Sequence, residues 1–174
     1  MKISASTIKE LRDITCASIA HCKKALEDAK GDIKEAAILL RKQGLEIAAK
    51  KQSRSAKEGR VDAYIHHGNK IGVLLEVNCE SDFVARNEEF ARFTKDLAMQ
   101  IAATSPAYIK KEDVPEDILR HEKSKEDYYK SNCLLEQVFV KDPSLTIKDY
   151  LGSIVAKIGE NIVIRRFTRY KIGE

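Results

Sequence analysis

Cys16, His21 and Cys22 stand close enough together to suggest zinc ligation, the first chemistry that this sequence raises. Six residues at about 100° each place the two thiols on separate faces of any helix that holds both, so the spacing argues against a shared ion. His66 and His67 lie in an alternating segment, where successive rings point to opposite sides of a strand and do not chelate one ion. Cys79 and Cys133 complete a set without a CxxC pair, in a chain too large to depend on disulfides, which predicts reduced thiols. The phosphate cradles GxxxxGKS/T and GxGxxG, the GxSxG elbow and the HExxH zinc helix are all absent, so no cofactor and no covalent catalysis are predicted.

The stretch NCESDFVARNEEF, Asn78 to Phe90, points to recognition instead. Its apolar pair Phe83 and Val84 falls between an acid and a base, where a polar turn is the ordinary expectation. The residues alone allow two readings. Phe83 can stand exposed for insertion into a partner, or it can pack under its own helix as a hydrophobic staple ahead of Asn87.

The elements that must carry this stretch follow from periodicity. Ser4 or Ser6 caps a first helix offering Ile8 and Leu11, and DITCAS breaks the pattern. Ile19, Cys22, Leu26 and Ala29 recur at helical spacing up to Gly31, a left-handed stop. Asp32 with Glu35 opens a third helix with Ile33, Ala36, Ala37 and Leu40 as its stripe. Residues 1–50 are therefore expected to form a three-helix module. Residues 51–60, with Lys51, Arg54, Lys57 and Arg60, read as a basic linker, either a solvated hinge or a phosphate contact. From Val61 the period changes to two, giving a hairpin closed at HGNK, and a long amphipathic helix leaves it at Asn87 with Phe90, Phe93, Leu97 and Ile101 on one face. After a charged helical stretch, Thr146 and Asp149 cap a helix ending at Gly159, and NIVIRRFTRYKI supplies a third strand. Residues 61–174 thus read as an α+β core, a three-stranded antiparallel sheet with flanking helices.

The bulk properties agree with a folded chain: 43% hydrophobic, 33% charged, net charge +4. No apolar run approaches the roughly 18 residues of a membrane span. Charges precede any stretch of signal-peptide length, which predicts a cytoplasmic chain.

The segments ELRDIT, CKKALEDAKGDIKEAAILLRKQG, EVNCESDFVARNEEF, FVKDPSLT and IGENIVIRRFTRY resemble, in order and over nearly the whole chain, the bacterial elongation factor Ts family. That resemblance implies a ubiquitin-associated-like N-terminal module and a core in the compact form with one subdomain, similar to forms that work as homodimers. It implies elongation factor Tu as partner, in its GDP-bound and nucleotide-free forms, with neither membrane nor direct nucleic-acid contact. The motif reads Ser81-Asp82-Phe83-Val84-Ala85-Arg86 here, with Ser81 in place of the family's usual Thr. By resemblance Ser81, Asp82, Phe83 and Val84 bind the partner and disturb its magnesium and phosphate site, with Asp82 and Phe83 matching the family residues directly, and Arg12, Ile19, Ala20 and Asn78 make further partner contacts. The turn Thr15-Cys16-Ala17-Ser18 departs from the family's glycine-containing turn, and Cys16 and Ser18 tolerate positive φ less well than glycine.

Two other classes compete on the residues alone. The basic linker, and the last strand with Arg165, Arg166, Arg169 and Lys171 beside Phe167 and Tyr170, would suit an RNA-binding or ribosome-associated module. A ubiquitin-type adapter would use residues 1–50 alone.

Overall fold

The computed structural model describes residues 3–15 and 17–174. Any part of Cys16 in a metal site or in the shape of its turn lies outside the described residues. The chain divides into two units, Met1–Arg54 with Leu151–Asn161, and Ser55–Tyr150 with Ile162–Glu174. The fold is α+β, as the periodicities predict.

In the first unit, α1 (Ala5–Thr15), α2 (Ile19–Asp28) and α3 (Ile33–Lys51) enclose Leu11, Cys22, Ala25, Leu26, Ala29 and Ala36, against which Ile8, Ile33 and Leu40 pack. Local chemistry sets each boundary. Ser4 Oγ accepts the Thr7 N–H at 3.1 Å, Ser18 Oγ accepts the His21 N–H at 3.2 Å, and Asp32 Oδ1 accepts the Glu35 N–H at 2.9 Å. Ser18 has an extended backbone at φ −65° and needs no left-handed tolerance. Helix α2 stops through Lys30 and Gly31, at φ 52° and 91°, with the Gly31 N–H donating to Leu26 O at 2.8 Å.

Helix α3 runs further than its stripe predicts and takes in Lys51, the first residue of the expected linker. The reason lies far along the chain, in α8 (Ile147–Ile158). A Cβ placed on Gly44 would come within 3.2 Å of Gly152 O, and one on Gly152 within 3.2 Å of Leu45 N, so two glycines let these helices meet backbone to backbone. Lys51 Nζ donates to Gly159 O at 2.6 Å and Asn161 Nδ2 to Arg54 O at 2.7 Å, which holds the end of α3. Residues 151–161 therefore fold with the N-terminal helices.

The second unit is built on β1 (Glu58–Ile65), β2 (Ile71–Cys79) and β5 (Val163–Lys171), an antiparallel sheet in the order β1-β2-β5. Strand β1 begins at Glu58, so the last three residues of the expected linker, Glu58, Gly59 and Arg60, pair with Cys79, Asn78 and Val77. The period-two signal misses them because none is apolar. A register shift between Glu76 and Val77 marks a bulge where β5 crosses β2. Val73, Leu75 and Val77 of β2 are buried on the side covered by α5 (Glu88–Thr104), which adds Phe90, Phe93, Leu97 and Ile101.

The charged stretch is two short helices, α6 (Glu116–His121) and α7 (Lys125–Asn132), the second capped by Ser124. A hairpin of β3 (Val138–Phe139) and β4 (Asp142–Thr146) follows. It is held by a fully buried amide: Gln100 Nε2 donates to Val138 O at 3.1 Å, and its Oε1 accepts the Val140 N–H at 2.9 Å. Asp96 accepts from Lys141 Nζ at 2.6 Å and from the Tyr150 hydroxyl at 3.0 Å. Cys22, Cys79 and Cys133 are buried free thiols, and burial pushes the Cys133 thiol up to about 11.

Candidate functional site

The candidate site is the junction between β2 and α5. Its strand end is anchored by Asn78, whose Nδ2 donates to Glu58 O at 3.1 Å across the β1–β2 pair. Asn78 is thus a half-buried tie between strands. The Cys79 thiol donates to Ser81 O at 3.1 Å and draws the chain round immediately after the strand. Ser81 then caps a single helical turn, α4 (Asp82–Ala85), its Oγ accepting the Val84 N–H at 3.4 Å. Asn87 caps α5 directly afterwards, accepting from the Glu89 N–H at 2.8 Å and the Phe90 N–H at 3.4 Å. Two side-chain caps within seven residues leave the backbone of α4 little freedom.

On this turn Val84 is half-buried and Phe83 is 79% exposed. The staple reading of Phe83 fails: its ring is not packed under α5, whose first buried aromatic is Phe90. Asp82 is exposed beside it. Sequence reasoning assigned no role to Arg86, which pairs with Asp82 and lies over the Phe83 ring at 5.9 Å from its centroid. The signal was available, since residues four apart on a helix are neighbours.

In the first unit Arg12, Ile19 and Ala20 are all exposed, and Ile19 at 60% does not belong to the buried stripe of α2 in which its spacing placed it. Ile14 of α1 is also exposed, at 59%, and was not singled out by the sequence. The basic last strand is less open to nucleic acid than its composition suggests. Arg166 pairs with Glu76 at 2.6 Å, and Arg169 and Lys171 both reach Glu174, at 2.8 Å and 3.1 Å. Among the described residues no helix is long and apolar enough to cross a membrane, and no group of three or more His, Cys, Asp or Glu is gathered to hold a metal ion.

A family model described as elongation factor TS matches residues 1–127, which include every residue of this site and of the exposed first-unit surface. The chain belongs to the elongation factor Ts family. Relatives named elongation factor Ts align with the chain over more than nine-tenths of their own length. That of Caldanaerobacter subterraneus subsp. tengcongensis is 51% identical, with 99% of this chain and 98% of the relative aligned. That of Thermoanaerobacter pseudethanolicus is 50% identical over 99% of this chain and 96% of the relative. That of Geobacter sulfurreducens is 46% identical over the full chain and 91% of the relative. The family name carries a role in translation elongation.

Proposed function

We propose that this elongation factor Ts family member is a nucleotide-exchange factor that binds elongation factor Tu·GDP and speeds GDP release. Asp82 and Phe83 would enter at the magnesium and phosphate site, after which GTP rebinds. The observation that carries this reading is the exposure of Phe83 on a doubly capped turn. A rigid apolar side chain moved from water into a partner pocket supplies roughly 1.5–3 kcal/mol. The adjacent carboxylate of Asp82 perturbs the shell of a bound magnesium ion electrostatically.

No covalent step and no cofactor are needed, because release requires only that factor and nucleotide bind the partner in conflicting geometries. Asn78, Ser81 and Val84 hold the inserting turn. Arg12, Ile19 and Ala20 supply a second contact, and linked contacts raise affinity without adding to the exchange step itself. Protein is the partner, rather than nucleic acid or membrane, and the cytoplasm is the compartment of that partner.

Linkage provides the test. If the chain weakens GDP binding by some factor, GDP must weaken binding of the chain by the same factor. Affinity measured for nucleotide-free and for GDP-saturated elongation factor Tu is expected to differ at least tenfold in favour of the nucleotide-free form. Equal affinities would make the chain a binding protein only.

We further propose that the chain self-associates as a two-fold homodimer. The sheet face opposite α5 leaves Val61, Ile65, Leu74 and Tyr170 exposed, at 61%, 61%, 53% and 72%. An exposed apolar face marks an interaction surface, and a two-fold axis would bury the same patch of both copies. Sedimentation is expected to show a dimer at micromolar concentration and a monomer for Leu74→Lys. A wild-type chain that remains monomeric at that concentration would remove the dimer.

A further inference from the structure

Arg86 stands where the two exposed side chains of α4 converge. Its backbone is fixed as the C-cap of the turn, with its N–H donating to Asp82 O at 3.2 Å and the next N–H, that of Asn87, donating to Val84 O at 3.0 Å. Its side chain pairs with the Asp82 carboxylate while the guanidinium carbon lies 5.9 Å from the Phe83 centroid. A planar, permanently charged guanidinium can do both at once, one edge meeting a carboxylate and one face covering a ring. An aromatic ring that is 79% exposed has few other neighbours to choose its rotamer.

We propose that Arg86 is a positioning residue that holds Asp82 and Phe83 in a single presentation before the partner arrives. The proposal rests on the exchange reading given above. Without Arg86, each of the two side chains spreads over about three staggered wells. The competent fraction then falls about threefold if one is released and about ninefold if both are, and apparent affinity falls by the same factor. The maximal exchange rate is unchanged, because a correctly inserted Phe83 is the same side chain in either protein. The Arg86 side chain is 71% exposed, so salt screens its pairing with Asp82 and narrows the difference.

The test compares wild type, Arg86→Gln and Arg86→Lys in release of fluorescent GDP from elongation factor Tu, with side-chain NMR of Phe83 in the free proteins. Arg86→Gln is expected to raise the half-saturating concentration three- to ninefold at low salt without changing the maximal rate or the melting temperature. The Phe83 χ1 couplings are expected to become rotamer-averaged. Arg86→Lys, which keeps the charge and loses the planar face, is expected to restore part of the affinity. A ring that stays in one rotamer in Arg86→Gln, with unchanged half-saturation, overturns the proposal. So does a loss confined to the maximal rate, which would make Arg86 a direct contact in the exchange step. Should Phe83→Ala leave exchange untouched while Arg86→Gln frees the ring, the exchange reading fails and the positioning of Phe83 by Arg86 stands.

Discussion

Phe83→Ala is expected to slow GDP release from elongation factor Tu by about ten- to a hundredfold while leaving the stability of the chain nearly unchanged. The kinetic figure follows from the roughly 1.5–3 kcal/mol of a buried aromatic side chain, at about 1.4 kcal/mol per decade of rate. The stability figure follows from exposure: at 79% exposed the ring contributes little to the core, and surface substitutions fall within about 0.5 kcal/mol. A packed staple would behave in the opposite way, costing about 3–5 kcal/mol on truncation. Stopped-flow release and a thermal melt on the same preparation separate the two. A destabilised variant whose folded molecules exchange GDP at the normal rate would contradict the insertion of Phe83.

Gly59→Ala reverses this pattern. Gly59 sits at φ +148°, a conformation that side chains rarely adopt, and an added Cβ would lie 2.3 Å from Val77 O and 2.7 Å from Asn78 Cα. Both obstacles are backbone of the paired strand, so the β1–β2 ladder itself must move. Backbone strain of about 1–3 kcal/mol together with overpacking of about 1–3 kcal/mol gives a loss of about 2–6 kcal/mol in chemical denaturation. The same displacement reaches Asn78 and the turn that it anchors, so affinity for the partner falls with stability. A Gly59→Ala chain as stable as wild type would mean that β1 does not approach β2 in this way.

The parts of this fold that were legible in the sequence are those in which a local rule and the tertiary outcome coincide. Ser4, Asp32 and Asn87 cap helices because a short polar side chain before an apolar stripe has few other uses, and β2 alternates because one of its faces is buried. Reading failed where distant residues decide. Nothing in residues 40–60 shows that Gly44 will meet Gly152, so the continuation of α3 and the membership of residues 151–161 in the first unit were not visible. Glu58 to Arg60 join β1 through backbone pairing alone, which hydrophobic periodicity cannot report. The β3–β4 hairpin is fixed by Gln100, some forty positions earlier, and has too few residues to display a period.

At the candidate site the residues were legible and their geometry was not. The spacing of NCESDFVARNEEF is compatible with either fate of Phe83, since a staple and a wedge place the same residue types before the same Asn cap. The exposure goes with α4, a turn of four residues that no periodic signal can reveal. Ile19 illustrates the same limit, being in phase with the buried residues of α2 and yet at the exposed first position of the helix.

The measurement that bears most directly on the central proposal is the release of fluorescent GDP from elongation factor Tu, followed in excess unlabelled GDP with the chain at one-fiftieth of the partner concentration or less. Every partner molecule is expected to lose its labelled GDP in a single accelerated phase, because each molecule of the chain acts many times and leaves when nucleotide rebinds. Acceleration that stops after one equivalent, or a release rate equal to the spontaneous one, would contradict it.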